Sequence, residues 1–332
     1  MKRKLWIDYS RGICAFCVLL AHQTTNESIS FLYNGFFLML FFFISGYLHH
    51  DRTIKESLVN ISKSLIIPYA GLSIFGLFLY TGNIKSLLAG DIVFIQTFLT
   101  RLIMGRTLWF VSCLVCVKIL FIVLQSILDR CRKWNAETIG IISVLSILYV
   151  FIVSQHPAEC PPFWYWTTAV YSLGFYILGY FCKKLKVEDR LPKIKWYYGV
   201  LLICAYSTLS YIIQTLYDIE YHVYTDSFES PLTFIILAVS GILCVLIFSF
   251  SVSDFNGIAN KFIIALGQNS LLLFAINSKI RLTLEKIVEF LHFSNLPEVV
   301  FVFLICIMQG AIVLLVGSLV NKYIPWLVGK HK

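Results

Sequence analysis

The sequence predicts an all-α membrane protein with about ten transmembrane helices and both termini in the cytoplasm. Hydrophobic residues make up 58% of the chain, charged residues make up 14%, and the mean hydropathy is +0.80. Apolar runs close to the ~20 residues that a helix needs to cross a bilayer recur from one end of the chain to the other. No stretch has the composition of a soluble domain. We therefore expect residues 1–332 to form a single membrane-embedded domain, located as a multi-pass protein in the cell inner (plasma) membrane.

The predicted spans follow the apolar runs, and the loops between them set the orientation. The ten spans lie at residues 6–25, 31–48, 64–82, 108–128, 138–154, 164–182, 196–216, 231–250, 262–280 and 299–320. Lys and Arg concentrate in alternate loops, and such loops face the cytoplasm. This places Cys160 and Asp226 outside the cell. The first segment lacks the small-residue cleavage site of a signal peptide, so we expect it to remain as the first span.

Two segments are too charged to cross lipid. Residues 84–106 contain Arg101 and Arg106, and residues 279–298 contain Arg281, among apolar neighbours. We interpret both segments as external interfacial or re-entrant helices, which lie on the membrane or fold into a cavity.

The charge and the cysteines exclude two other classes of function. The net charge of +9 is distributed as the positive-inside bias requires, and no basic stretch exceeds a short loop, so we expect no nucleic-acid partner. The pairs Cys14/Cys17 and Cys113/Cys116 lie inside apolar helical runs without a second ligand pair at zinc spacing. We therefore expect no metal and treat these cysteines as packing residues.

The first span carries ionisable residues on one face. Arg11 and His22 are eleven positions apart, which at about 100° per residue is three turns plus about 20°. Asp8 lies on nearly the same face, three residues before Arg11. Because a charge at the centre of a span costs at least ~2.5–3.5 kcal/mol, this stripe is a candidate functional site.

Four segments of the chain, in this order, resemble the acyltransferase-3 family of integral membrane O-acyltransferases. They are Trp6 to Arg11 together with His22, Phe41 to Leu48, Leu108 to Phe110, and Leu266 to Leu271. The resemblance implies about ten spans with both termini inside, which agrees with the topology from charge. It also implies an acyl-CoA donor and a carbohydrate acceptor at the cell surface.

The resemblance implies a role for several residues. Transfer from a thioester to a sugar hydroxyl needs a base, and His is suited because its ordinary pKa of about 6.5 lies near the working pH. We expect His22 and Asp8 to serve catalysis, with His22 as general base and Asp8 orienting Arg11. We expect the acyl donor, acetyl-CoA or another acyl-CoA, to be bound by Arg11, Lys63, Ser45 and Trp109. The predicted activity is O-acetylation of a cell-envelope polysaccharide or a lipid-linked sugar.

The chain departs from the family pattern, and other residues stay ambiguous. Only Lys63 remains of the basic residues that often follow the second helix, and Asn277 replaces a late His. Lys118 lies deep in the fourth span and needs a partner or a water-filled cavity. The histidines other than His22 fall in loops or tails, where we expect them to be solvated.

Each candidate residue also has a structural interpretation. His22 could be a satisfied polar residue near the outer end of the helix. Arg11 could be a positive-inside anchor, and Trp109 could belong to the interfacial aromatic belt. For the whole chain, the alternatives are a transporter or flippase for a lipid-linked sugar and a non-catalytic membrane scaffold. Gly- or Pro-interrupted helices in matching halves would favour the transporter, and we find none in the sequence.

Overall fold

The protein is built almost entirely from helices. A computed structural model describes residues 4–23, 27–79, 81–157, 160–190, 194–217, 221–290 and 297–330. Within these residues the α-helices are α1 (Leu5–Gln23), α2 (Phe37–Tyr47), α3 (Ile54–Ile61), α4 (Ile67–Phe78), α5 (Thr81–Leu88), α6 (Ile92–Ile103), α7 (Trp109–Arg130), α8 (Ala136–Leu148), α9 (Val150–Val153), α10 (Trp166–Lys184), α11 (Val187–Arg190), α12 (Trp196–Tyr217), α13 (Pro231–Val252), α14 (Ile258–Gln268), α15 (Ser270–Phe290) and α16 (Glu298–Tyr323). The strands β1 (Tyr221–His222) and β2 (Ser227–Phe228) pair antiparallel. The prediction of an all-α polytopic membrane protein is confirmed.

Seven helices in the described residues are long and apolar enough to cross a membrane. The count rises to as many as nine if each bent pair is one span. The seven are Ile29–Tyr47, Ile54–Phe78, Trp109–Arg130, Ala136–Val153, Trp196–Tyr217, Pro231–Val252 and Glu298–Tyr323. The bent pairs are α5 with α6, at 116°, and α14 with α15, at 95°. Each of the ten predicted spans corresponds to a helical segment, although α1 and α10 are not among these seven or nine.

Polar residues at the helix starts explain where several helices begin. Thr53 and Glu56 form a capping box at α3, in which each side chain accepts a hydrogen bond from the other residue's backbone N–H. Asp91 accepts a bond of 3.0 Å from the N–H of Phe94 at α6. Asn135 does the same for α8, at 2.8 Å. Such caps satisfy the donors that a helix leaves unpaired at its start.

The two charged segments behave differently from each other. Residues 84–106 form most of the bent pair α5 and α6, a shape that suits a re-entrant or interfacial hairpin. The separate interfacial helix predicted at 279–298 is wrong, because α15 runs unbroken from Ser270 to Phe290 and the chain bends at Asn269 instead. Arg281, which is half-buried, donates a hydrogen bond of 2.8 Å to the main-chain oxygen of His22. The last part of that predicted segment, residues 291–296, lies outside the described residues.

The bundle has two ends, which we name after one residue each. At the Lys4 end, Lys4 pairs with Glu188, and Lys184 pairs with Asp51 at 2.5 Å. The Trp109 end lies at the start of α7, and the last turn of α7 lies toward the Lys4 end. The β1–β2 hairpin lies at the Trp109 end, where the ring of Trp109 packs against that of Tyr224.

The carboxylate of Asp226 holds the β1–β2 hairpin against the bundle. Asp226, which is 3% exposed, accepts hydrogen bonds from the hydroxyls of Thr168 (2.7 Å) and Tyr171 (3.0 Å) on α10. A third bond comes from Thr167. These bonds compensate the burial of the carboxylate and hold the hairpin over the Trp109 end.

The orientation of the bundle can be tested with two cysteines at opposite ends of α7. Cys160 contacts Arg106 just before α7, Cys131 caps its far end, and both are exposed. We expect a membrane-impermeant maleimide to label, in intact cells, a variant that keeps only Cys160, because the positive-inside rule places that end outside. A variant that keeps only Cys131 should be labelled only after lysis. The opposite pattern for the two variants would reverse the orientation.

Candidate active site

Arg11 lies against the break between α14 and α15. Its Nη2 donates a hydrogen bond of 2.8 Å to the hydroxyl of Ser270, the first residue of α15. On the other side of the break, the side-chain amide of Gln268 approaches the buried carboxylate of Asp8 at 3.5 Å. The fold thus brings together two of the sequence segments that carry the family resemblance.

Two glycines set the separation of α1 and α14. A Cβ atom added to Gly12 would lie 1.9 Å from the main-chain oxygen of Ile263, and one added to Gly267 would lie 2.0 Å from that of Asp8. No side chain fits at either position, so the backbones are in direct contact. This contact holds Asp8 and Arg11 beside the break.

His22 lies in the last turn of α1, and its side chain is exposed. Its Nδ1 is 2.8 Å from the main-chain oxygen of Val18. Because a carbonyl oxygen can only accept, Nδ1 carries the proton of the neutral ring and Nε2 keeps its lone pair. The ring is therefore oriented and can accept a proton at Nε2.

The helices α1 and α15 run parallel in the same register. Arg11 binds Ser270, and Arg281 binds the main chain of His22, with the same separation of 259 positions in both pairs. One helix thus positions both candidate residues of α1. The sequence analysis missed Arg281 because its charge was interpreted as a sign of the membrane surface.

A series of side-chain amides leads from the neighbour of His22 into the bundle. The amide of Gln23 donates to Gln309 at 2.7 Å, and that of Gln309 donates to Asn277 at 3.3 Å, and both Gln309 and Asn277 are buried. Eleven residues of α16 precede Gln309, so α16 continues for roughly 16 Å along its axis beyond this contact. The sequence did not single out the two glutamines, although polar amides inside apolar runs were a usable signal.

A second group of ionisable residues lies at the Lys4 end. Lys118 lines a small cavity of about 60 Å³ together with His49 and Arg52, which agrees with the expectation that Lys118 needs a cavity. Among the described residues, no carboxylate forms an ion pair with Lys118.

The prediction that His49 is solvated is wrong. Its Nδ1 is 2.8 Å from the hydroxyl of Tyr176, and its ring packs edge-on against Phe121. Burial and the positive charge of Lys118 lower the pKa of His49 to about 4, against a raising contribution from Asp51. His49 is therefore neutral at pH 7 and does not add to the positive charge of the cavity.

The other predicted donor-binding residues are not gathered in one place. Lys63 is exposed within a π-helical stretch, Ser62–Ile66, and Ser45 is half-buried on α2. Trp109 lies at the other end of the bundle and lines a cavity of about 370 Å³ with Phe37 and the β1–β2 hairpin. A donor that contacts both Lys63 and Trp109 must extend through the bundle, and the roles of these residues stay predictions.

The fold and this site together define a polytopic membrane protein that holds ionisable groups inside its helical bundle, as membrane enzymes and transporters do. A family model described as an acyltransferase domain matches residues 4–316, nearly the whole chain. The chain therefore belongs to the acyltransferase-3 family and is a membrane acyltransferase. No curated protein and no solved structure matches it.

Proposed function

We propose that this protein transfers an acetyl group from cytosolic acetyl-CoA to a hydroxyl of a cell-surface or lipid-linked carbohydrate in the inner membrane. The observation that carries the proposal is His22, an oriented imidazole with an available Nε2 on the same helix as Arg11. Because His22 is exposed as well as oriented, a substrate hydroxyl can reach its Nε2.

The proposed chemistry is direct attack by the acceptor. The acceptor hydroxyl gives its proton to Nε2 of His22 while its oxygen attacks the thioester carbonyl. The carbon–sulfur bond then breaks, and the CoA sulfur takes the proton from the imidazolium. His22 ends neutral, so the cycle balances without a metal or a redox step.

The donor is proposed to enter at the Lys4 end. Arg11 lies in the first half of α1, and Arg52 and Lys118 line the small cavity there. Lys63 lies on the span Ile54–Phe78, which begins with α3. Arg offers a rigid set of N–H donors suited to phosphate, and CoA carries several phosphates. Asp8 is proposed to keep Arg11 in place from the preceding turn.

The acceptor is proposed to bind at the Trp109 end. The cavity there is lined by the aromatic residues Trp109, Tyr221 and Tyr224. Aromatic side chains present an apolar face beside a polar edge, and this combination suits the surface of a sugar. In this arrangement donor and acceptor approach His22 from opposite sides of the membrane.

The test is mass spectrometry of the envelope glycans of cells with and without the gene. We expect deletion to remove an O-acetyl group from one glycan and the wild-type gene to restore it.

The alternative function is export of a lipid-linked sugar, because bends such as those in α5–α6 and α14–α15 also occur in transporters. If deletion lowers the amount of exported glycan while the glycan that is still exported remains fully acetylated, the result would support the transporter and contradict the acyltransferase proposal.

A further inference from the structure

A third cavity lies at the Trp109 end, between the bent hairpin of α5 and α6, α4 and α15. It has a volume of about 420 Å³ and is open on one side. We call it the hairpin cavity. The donor and acceptor sites proposed above do not use it.

The hairpin cavity is positively charged. Arg101, Arg106 and Lys279 line it, and none of its lining residues in the described part of the chain is acidic. The contacts of Arg106 are to neutral groups, with its Nη2 donating to the main-chain oxygen of Pro161 at 2.9 Å and to the sulfur of Cys160. Neither Arg101 nor Arg106 forms an ion pair with a described residue. Guanidinium groups that have no carboxylate partner favour an anionic ligand.

Much of the remaining lining of the hairpin cavity is apolar. Phe94, Phe98 and Phe274 line it together with leucines of α4. A soluble anion gains no free energy from contact with these apolar side chains, whereas the first carbons of a lipid chain would be buried favourably against them.

The hairpin itself faces an apolar environment on its outer side. Leu88, Ile92 and Val93 are between 67% and 83% exposed. Apolar side chains with this exposure, on a hairpin that also carries Arg101, are typical of a segment in the membrane interface. A ligand can therefore enter the hairpin cavity from the lipid layer.

We propose that the hairpin cavity binds the phosphate or pyrophosphate group of a long-chain lipid. The phosphate lies at Arg101 and Arg106, and the start of the lipid chain lies against the phenylalanines. This inference deepens the proposed function and rests on it in one respect: the lipid is the carrier of the acceptor sugar. The acceptor is thus a phosphate-linked lipid sugar rather than a finished polymer.

The helix α15 connects the hairpin cavity to the catalytic residues. Ser278 faces the cavity, and Asn277, the preceding residue, belongs to the amide series beside His22. Neighbouring residues on a helix are about 100° apart. A phosphate held in the hairpin cavity would therefore place its attached sugar next to the helix that positions His22.

The test measures binding of a polyprenyl phosphate to the full-length protein in nanodiscs. The probes are a polyprenyl phosphate, the polyprenol of the same length, and inorganic phosphate. We expect Arg101→Gln to weaken binding of the polyprenyl phosphate about ten- to a hundredfold, because it removes a charged hydrogen-bond donor. Thr97→Asp should weaken it comparably, because it places a carboxylate on the cavity wall and leaves Arg101 and Arg106 in place.

The matched control is Lys85→Gln, which removes one positive charge from the same hairpin at an exposed position outside the cavity. It should change binding by no more than about twofold, since isolated surface charges contribute little. Equal binding by Arg101→Gln, Thr97→Asp and Lys85→Gln would overturn the proposal. Equal binding of polyprenol would exclude recognition of the phosphate, and equally tight binding of inorganic phosphate would exclude the lipid.

The binding measurement needs no acyl transfer, so it separates this inference from the proposed function. Binding that depends on Arg101, in a protein that transfers no acyl group, would retain the lipid site and refute the transferase. Acyl transfer to a sugar without binding of the polyprenyl phosphate would refute the lipid site alone.

Discussion

His22→Gln is expected to lower the rate of acyl transfer about 10²–10⁴-fold, which is the usual contribution of a general base. Glutamine has a similar size and can still donate to the main-chain oxygen of Val18, as Nδ1 of His22 does at 2.8 Å. It cannot take a proton near neutral pH. Arg281 donates to the main-chain oxygen of His22, which the substitution keeps, so this contact between α1 and α15 is retained.

The measurement is kcat with acetyl-CoA and acceptor at saturation, and the control is His156→Gln. His156 is an exposed loop residue, so its replacement should leave kcat unchanged. The wild type should also lose activity at acid pH, where the imidazole is protonated and cannot act as a base. Full activity of His22→Gln, or activity that does not fall toward acid pH, would show that the base is another group.

Arg11→Ala is expected to raise KM for acetyl-CoA about tenfold or more, the effect of losing one hydrogen-bonded charge. Arg11→Lys keeps the charge but loses the rigid fork of donors, so its KM should lie between those of the wild type and the alanine variant. Ser270→Ala removes only the bond of 2.8 Å to Nη2. It tests whether the position of the guanidinium matters separately from its charge.

The control for Arg11 is Arg130→Ala, at the exposed end of α7. It removes the same charge near the same end of the bundle but outside the site, and it should leave KM unchanged. If Arg11→Ala and Arg130→Ala behave alike, Arg11 has no part in donor binding and is an anchor that sets topology.

The sequence predicted those features that depend on local pattern. Long apolar runs predict the spans because they match the thickness of the bilayer. The shared face of Asp8, Arg11 and His22 follows from helical periodicity, and α1 is indeed one unbroken helix from Leu5 to Gln23. These inferences need no knowledge of which helices are neighbours.

Features that depend on which helices pack against each other could not be predicted from local sequence patterns. The charge of Arg281 indicated the membrane surface, yet a backbone oxygen of α1 accepts its hydrogen bond. His49 follows a span and looked solvated, yet Tyr176 and Phe121 enclose it. The bend at Asn269 falls in the polar segment Gly267 to Ser270, which interrupts the apolar run, so a turn signal was present there and was not used.

The glycine contact between α1 and α14 is matched by a second one between α2 and α10. A Cβ atom on Gly46 would lie 1.9 Å from the oxygen of Tyr176, and one on Gly179 equally close to that of Phe43. Backbones in such contact can neither slide nor rotate without losing their packing. The pairs α1–α14 and α2–α10 are therefore fixed parts of the bundle, and their helices keep their relative positions while substrates bind.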